Sequence, residues 1–286
     1  MFNIFIIYKI FCYISMKKPI VGILATPYIN KKEEREQVFL TNFFIKFFKR
    51  NNLNFIIIPY NFSMLKVKSI VKNLDGLLFP GSQIGNYYYN KEFTEHLKKQ
   101  KLLLKLVKSI NKTERLLPIL SICHGFHNSM LIATNKNKNT LFNNVNAYYN
   151  YNQNPIFSKN GEKLKKLYNK SKKIVHNNKL GISPNMINKT KKIYLFAKTK
   201  DKNNKEFIEI IKHKNHPFYG FQGHVERSNP ELLIPYIIDI KRSFYKRCIL
   251  SNKSCKIKKI VNGITKKCYG LSKRPSNCCI YNITNK

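Results

Sequence analysis

From residue 19 onward, the chain alternates short, continuous apolar runs with segments of helical periodicity. The first four apolar runs are PIVGILA (19–25), NFIIIPY (54–60), GLLFPG (76–81) and PILSIC (118–123), and helical spacing separates them at 38–48, 64–71 and 92–110. Uninterrupted apolar runs of this length are typical of parallel strands buried on both faces. Strands that alternate with helices predict a parallel sheet covered by helices on both sides. The carboxyl ends of such strands share one edge of the sheet, where ligands bind.

The remainder of the chain is less regular. Residues 135–190 are rich in Asn and Lys and show little periodicity, so they form either one long elaborated loop or a region whose pattern is blurred by composition. Strand-like runs and an amphipathic helix follow, at 192–198, 206–212, 218–224 and 230–249. We therefore predict one domain over 18–250. It is flanked by an N-terminal extension or signal-like segment at 1–17 and by a basic, weakly ordered C-terminal tail at 251–286.

The charge of the chain is strongly positive, since 53 Lys and Arg stand against 14 Asp and Glu and give a formal net charge of +39. Such a charge by itself suggests a polyanionic partner such as nucleic acid. Lys outnumbers Arg 46 to 7, however, and surfaces that grip phosphate favour the bidentate Arg side chain. The abundant Lys, Asn, Ile, Phe and Tyr all have A/T-rich codons, so genome composition explains the charge. Nucleic acid is therefore not expected as a partner.

Composition sets two further limits. A hydrophobic content of 43% excludes a wholly disordered chain despite the charge. No run of eighteen uncharged apolar residues occurs, so no membrane span is expected. The cysteines of the tail lack the C-x₂-C pairs of zinc modules, and no metal site is predicted.

Cys123 stands at a position that suits a nucleophile, because it ends the fourth predicted strand just before a predicted helix. A strand-to-helix turn exposes such a residue, and the helix N-terminus favours its anionic form. Gly125 permits backbone angles that are closed to other residues. The backbone N–H of His124 would point to where an oxyanion develops, and the turn at Gly81 and Ser82 would supply a second donor.

A base for this cysteine is offered by His224, which ends the run FYGFQGH. Glu226 follows two residues later, a spacing that lets one carboxylate orient the imidazole. The alternative interpretation is a buried structural cysteine and a surface histidine, because cysteines are among the most buried residues. These residues alone leave both interpretations open.

Four segments together bring a family into view. They are KPIVGILATPY at 18–28, DGLLFPGS at 75–82, PILSICHGFHNS at 118–129 and HPFYGFQGHVE at 216–226. In these segments, and in their order, the chain resembles the gamma-glutamyl hydrolase family, within the class I glutamine amidotransferase-like fold. A fifth segment, VHNNKLGISP at 175–184, resembles the family segment that carries an Asn or His before a Gly-Ile-Ser-Pro turn. The resemblance implies an α/β fold, a three-layer sandwich with a mostly parallel central sheet.

The resemblance also implies a cysteine peptidase of the omega type and a role for each matching residue. Cys123 matches the nucleophile, His224 the base that later protonates the leaving amine, and Glu226 the acid that orients this histidine. The resemblance further implies residues that form the oxyanion hole or line the pocket, namely Gly81, Ser82, His124 and His176. No metal or organic cofactor is implied.

Three positions depart from the family pattern. Ser82 replaces the second Gly of a Pro-Gly-Gly turn, and it would strain the oxyanion donor if that position needs a positive φ. His127 replaces a Glu after the nucleophile, and Gly223 replaces a Trp beside the base. Since the Cys, His and Glu are all retained, these changes are expected to alter substrate fit rather than abolish chemistry.

Three functions follow as alternatives. The first is trimming of poly-gamma-glutamyl tails, such as those of folates, so the expected partner is a small-molecule substrate with a gamma-glutamyl tail. The second is an amidase of the same fold that acts on glutamine or a gamma-glutamyl amine. The third is a catalytically impaired binding protein on this scaffold, and a homodimer is one option for its assembly as for the others. Family members with a signal peptide enter the secretory or lysosomal route, whereas translation from Met16 would leave this protein in the cytoplasm.

Overall fold

The computed structural model describes residues 18–30, 33–82, 91–113, 115–136, 138–188, 192–250, 264–267 and 278–283. The strands are β1 (Ile20–Leu24), β2 (Thr26–Asn30), β3 (Glu33–Thr41), β4 (Asn54–Ile58), β5 (Gly76–Phe79), β6 (Ile119–Ile122), β7 (Phe142–Gln153), β8 (Ile156–Phe157), β9 (Ile174–Ile182), β10 (Ile193–Lys200), β11 (Glu206–His213), β12 (Phe218–Phe221), β13 (Ile264–Lys267) and β14 (Cys278–Ile283). The helices are α1 (Asn42–Arg50), α2 (Met64–Val71), α3 (Lys91–Thr113), α4 (His124–Thr134), α5 (Lys138–Leu141), α6 (Glu162–Lys165), α7 (Asn185–Asn188), α8 (Val225–Ser228) and α9 (Ile234–Leu250). Short 3-10 turns cover Lys159–Gly161 and Pro230–Leu233.

A central sheet of eight strands organises the domain, in the order β4-β1-β5-β6-β12-β11-β10-β8. The five strands from β4 to β12 pair in parallel. The last three, β11, β10 and β8, pair antiparallel. Strand β6 lies between β5 and β12, so its carboxyl end opens at the middle of the sheet edge, where ligands bind in such folds.

Two hydrophobic cores lie on opposite faces of this sheet. Alternate residues of β1 divide between them, since Val21 and Ile23 belong to one core and Ile20 and Leu24 to the other. Helices α1 and α9 cover the first face, and α2, α3 and α4 cover the second. Both faces of the parallel strands are buried, as the continuous apolar runs predict. The predicted three-layer α/β sandwich with a mostly parallel sheet is therefore confirmed.

The Asn- and Lys-rich middle segment is not one long loop. Strands β7 and β9 pair antiparallel in a small sheet of their own, with two irregularities in register. Val145 and Ala147 of β7 are buried against Phe207 of β11, while the neighbouring Asn144 is exposed. Composition therefore concealed strands here, because Asn replaces the residues that usually mark the exposed face of a strand.

The segment 38–48 departs from its predicted helix. Strand β3 runs through Thr41, and helix α1 begins only at Asn42. Residues of β3 pair with β2 on one side and β14 on the other, so tertiary pairing overrides the local helical periodicity. None of the helices in the described ranges is long and apolar enough to cross a membrane.

The two predicted flanking segments lie largely outside the described residues. Nothing of the signal-like segment at 1–17 is described. In the tail, which is predicted to be weakly ordered, the structure describes β13 and β14, and they join β3 and β2 in a four-stranded sheet. The domain boundary at residue 250 stays a prediction.

Candidate active site

Cys123 occupies a sharp turn between β6 and α4, with φ 52° and ψ −111°. A positive φ is unusual for a residue with a side chain, and it is maintained only where surrounding structure holds it. Here the N–H of Cys123 donates to the carbonyl of Phe221 on β12 (2.8 Å), which fixes the turn to the neighbouring strand. The geometry projects the thiol over the carboxyl edge of the sheet, at the N-terminus of an eleven-residue helix.

Gly125 is required by a close approach and not by its backbone angles. A Cβ placed on Gly125 would lie 2.2 Å from the carbonyl oxygen of Phe79, at the end of β5, and its φ is not positive. The N–H of Gly125 also donates to the carbonyl of Pro80 (3.1 Å). The first turn of α4 therefore packs directly onto the end of β5, which brings the turn at Gly81 beside Cys123.

The structure brings His224 and Glu226 together with Cys123. The Nδ1 of His224 lies 2.9 Å from the Oε1 of Glu226, whose side chain is 1% exposed. The N–H of His224 donates to the carbonyl of Val175 on β9 (2.8 Å), which anchors the loop that follows β12. The imidazole is hydrogen-bonded to both Glu226 and Cys123. Since Nδ1 is bonded to Glu226, Nε2 is the ring nitrogen that faces the thiol.

The charge state of His224 follows from these contacts. Burial, the largest single influence, lowers the pKa of this imidazole. The negative charges of Cys123 and Glu226 and the hydrogen bonds to both outweigh burial and raise the pKa of His224 from 6.5 to about 10. The imidazole is therefore a cation at neutral pH beside Cys123, an arrangement that stabilises the thiolate, which is the reactive form of cysteine.

Gly81 lies directly against both reacting groups. A Cβ at this position would be 3.0 Å from the Cε1 of His224 and 3.1 Å from the Cβ of Cys123. Ser82 is not among the described residues with positive φ, so the strain expected from replacing a Gly is absent. The Oγ of Ser82 is buried and has no hydrogen-bond partner within the described residues.

The side chain of His124 turns away from the thiol. Its Nε2 lies 3.0 Å from the Nδ2 of Asn128, and its ring packs edge-on against Phe93 at 4.6 Å. Burial, followed by repulsion from His96 and His127, places the pKa of His124 well below its usual value, so the ring is neutral. The predicted contribution of His124 to an oxyanion hole thus rests on its backbone N–H alone.

His176 is fully buried, and its nearest polar contact is not with Cys123. Its Nε2 lies 3.1 Å from the Oε2 of Glu209, which is also fully buried. The ring of His176 packs edge-on against Phe207 at 5.5 Å. Glu209 in turn accepts a hydrogen bond from the N–H of Gly223 (3.1 Å). His176 thus belongs to a buried His–Glu pair behind the loop that carries His224.

Sequence reasoning missed Asn178, which contacts the nucleophile. Its Nδ2 donates to the Sγ of Cys123 at 3.5 Å, and its side chain is almost fully buried. Asn178 follows His176 by two positions on β9, so both side chains lie on the same face of the strand. The fifth motif therefore marks the correct strand, and the alternation along the strand is the signal that could have found Asn178.

The two other departures from the family pattern are compensated locally. His127 is buried, lies 3.0 Å from the Oε1 of Gln222, and packs against Phe142 at 4.6 Å. A Cβ on Gly223 would lie 2.4 Å from Ile174 and 2.9 Å from both Glu209 and His176. These neighbours fill the space beside the base, so a larger residue at position 223 would need them to move.

Comparison with known proteins gives the family. The family model described as Peptidase C26 matches residues 19–226, a range that includes Cys123, His224 and Glu226. The chain belongs to the Peptidase C26 family. This assignment confirms the resemblance to gamma-glutamyl hydrolases at the level of the family. The catalytic roles of the individual residues stay predictions.

A curated relative of this Peptidase C26 protein is gamma-glutamyl hydrolase B of Dictyostelium discoideum, which is 25% identical over 227 residues. The match covers 73% of this chain and 63% of the relative, so the chain spans less than two thirds of the relative's length. Among solved structures, a proposed GMP synthase component from Thermoplasma acidophilum is similar with 16% identity and a TM-score of 0.46. That similarity covers 82% of this chain and 97% of the other.

Among the described residues, no group of three or more His, Cys, Asp or Glu is placed to hold a metal ion. The site described above is therefore built from a thiol, an imidazole, a carboxylate and backbone donors.

Proposed function

We propose that this protein hydrolyses gamma-glutamyl amide bonds through a thioester on Cys123. The observation that carries the proposal is the contact chain in which Glu226 bonds His224 and His224 bonds Cys123 at a strained strand-to-helix turn. A nucleophile, a base and a group that orients the base are the elements of covalent acyl transfer. Membership in the Peptidase C26 family and the name of the Dictyostelium relative supply the gamma-glutamyl acyl group.

The first half of the reaction forms the thioester. The Sγ of Cys123 attacks the γ-carbonyl carbon, and the carbonyl oxygen becomes an oxyanion beside the backbone of Gly81 and His124. When the carbon–nitrogen bond breaks, the leaving amine takes the proton from Nε2 of His224. The imidazole is then neutral and remains oriented by Glu226.

The second half regenerates the enzyme. Neutral His224 accepts a proton from a water molecule as the water oxygen bonds to the thioester carbon. The carbon–sulfur bond then breaks, which releases the γ-carboxylate and restores the thiolate of Cys123. The imidazolium and thiolate pair is thus the resting state at both ends of the cycle.

The preferred substrate in this proposal is a poly-gamma-glutamyl tail, such as that of a folate. The family resemblance suggests this substrate, and the strongly basic chain suits its many carboxylates. The acyl group is better defined than the leaving group, because the contacts described above surround the thiol. Hydrolysis of glutamine or of a simple gamma-glutamyl amine is the alternative within the same chemistry.

The test is hydrolysis of a pentaglutamyl folate by the full-length protein, with the products separated by chromatography. We expect turnover that Cys123→Ala lowers by at least about 10³-fold, the scale seen when a catalytic triad loses its nucleophile. Cys248→Ala is the matched control, because Cys248 is a half-buried free cysteine on α9 and its loss should leave turnover unchanged. Iodoacetamide should abolish turnover in the wild type and in Cys248→Ala alike.

Parallel assays with glutamine and with gamma-glutamyl-4-nitroanilide separate the alternatives. Turnover of the simple amides without turnover of the folate would replace the substrate but keep the mechanism. Turnover that survives Cys123→Ala would overturn the thioester. A folded protein that turns over none of the three substrates would make a catalytically impaired binding protein the better account.

A further inference from the structure

A second cavity lies at the end of the sheet opposite the candidate active site. It has a volume of about 620 Å³ and lies between α3, α4 and the amino ends of β6 and β12. Ile119 begins β6 and lines the cavity, whereas Cys123 follows the other end of the same strand. At a rise of about 3.3 Å per residue, the two positions are roughly 13 Å apart. The cavity is therefore separate from the candidate active site, and its volume is that of a small-molecule pocket.

The inner wall of this cavity is apolar. Six aliphatic or aromatic side chains, contributed by two helices and three strands, form it: Leu104, Val107, Ile119, Ile132, Ile193 and Phe218. Five of them belong to, or pack against, the hydrophobic core under α2, α3 and α4, which makes the wall a firm surface. Such a wall favours an apolar or aromatic body over water.

The rim of the cavity is positively charged. Lys101, Lys105 and Lys108 lie at positions i, i+4 and i+7 of α3 and so share one face of that helix. Lys192, just before β10, adds a fourth ammonium group from the other side. No Asp or Glu occurs among the described residues that line the cavity. Lysines are common throughout this chain, but here they surround a concave apolar wall instead of a convex surface.

Two histidines at the same rim report the local field. The rings of His213 and His216 lie 4.7 Å apart. Burial, and then repulsion from His216, Lys108 and Lys192, lowers the pKa of His213 to about 4. Burial and repulsion from Lys108 and Lys112 also lower the pKa of His216. The positive charges at this rim are therefore uncompensated, and the Nδ1 of His216 is buried without a hydrogen-bond partner within the described residues.

We propose that this cavity binds a small amphipathic anion. Its apolar or aromatic body packs against the wall, and its carboxylate, sulfonate or phosphate group lies among the lysines of the rim. Such a ligand satisfies both halves of the cavity at once, because it removes apolar surface from water and neutralises crowded cations. The inference is independent of the proposed hydrolysis, since no residue of the cavity belongs to the candidate active site.

The probe is 8-anilinonaphthalene-1-sulfonate, whose fluorescence rises in an apolar environment, beside N-phenyl-1-naphthylamine, which has the same rings without the sulfonate. We expect one saturable site per chain for the anionic probe. Lys105→Gln/Lys108→Gln should weaken its binding about tenfold, because two rim charges are lost. Binding of the neutral probe should be weaker than that of the anion and should change little in this variant.

Lys163→Gln/Lys166→Gln is the matched control, since these exposed lysines have the same i, i+3 spacing but lie near α6, away from the cavity. Ala133→Phe, at the exposed rim on α4, should block the cavity and abolish saturable binding while thermal unfolding shows an intact fold. Equal weakening in both lysine pairs, or unchanged binding in Lys105→Gln/Lys108→Gln or in folded Ala133→Phe, would overturn the proposal.

Discussion

The side-chain amide of Asn178 donates to the sulfur of Cys123 across 3.5 Å, from a strand that is not part of the central sheet. Its Oδ1 is buried and has no hydrogen-bond partner within the described residues. The donor helps to stabilise the thiolate, and the unpartnered oxygen is placed beside the same sulfur, where a substrate N–H would satisfy it. Asn178 is thus placed to act on the nucleophile and on the substrate together.

Replacement of Asn178 by Ala removes both interactions. We expect kcat/KM to fall about 10-fold to 100-fold, because one hydrogen bond to a charged group contributes about 1.5–3 kcal/mol. The pH at which iodoacetamide half-maximally alkylates Cys123 should rise, because the thiolate loses a donor. Asn177→Ala is the control, since Asn177 is exposed on the opposite face of β9. Unchanged alkylation in Asn178→Ala would show that the amide does not act on the thiolate.

Glu226→Gln tests the charge state of His224. The carboxylate raises the pKa of His224, so its loss should move that pKa from about 10 down towards 6.5. Because protonated His224 donates to the leaving amine, the decline of kcat at alkaline pH should begin at a lower pH in Glu226→Gln than in the wild type. A pH–rate profile measures this shift, with Glu231→Gln as a control outside the contact chain. An alkaline decline at the same pH in both proteins would contradict the role of Glu226.

Two glycines near the nucleophile should respond differently to the same methyl group. In Gly125→Ala the new Cβ meets the backbone oxygen of Phe79 at 2.2 Å, so the strand-to-helix turn must shift. We expect a lower melting temperature, with a loss of about 1–3 kcal/mol as for other overpacked sites. In Gly81→Ala the Cβ meets Cys123 and His224 at 3.0–3.1 Å, so activity should fall while the melting temperature changes little. Equal destabilisation in both variants would contradict this distinction.

Gly223→Trp restores a family residue but should not restore the family geometry. The space beside Gly223 is filled by Ile174, Glu209 and His176, and the first of these would meet the new Cβ at 2.4 Å. We expect reduced stability and no gain in kcat/KM over the wild type. Thermal unfolding and an activity assay of the same preparation give both quantities. A gain in activity at unchanged stability would show that His176 and Glu209 do not hold this space.

Much of the candidate site could be predicted because its residues follow strands of one parallel sheet. The turn at Gly81 follows β5, Cys123 follows β6, and His224 comes three residues after β12. These three strands are neighbours, so their carboxyl ends converge at one edge. Identification of the strands alone is therefore sufficient to bring these residues together.

The contribution of β9 could not be predicted in the same way. Its position depends on pairing with β7, which has two register irregularities, and its composition hides the alternation of faces. A shift of two residues along a strand keeps the same face, so the pattern alone does not distinguish His176 from Asn178. The distinction follows from which side chain lies above Cys123, and that depends on the tertiary position of β9.

The backbone conformation of Cys123 gives the retained thiol an evolutionary meaning. A residue with a side chain at φ 52° and ψ −111° costs about 1–3 kcal/mol relative to glycine in the same conformation. In a lineage that no longer used the thiol, mutation to glycine at position 123 would increase stability at no functional loss. A cysteine held at this thermodynamic disadvantage therefore favours continued selection for its chemistry over a scaffold that has drifted out of use.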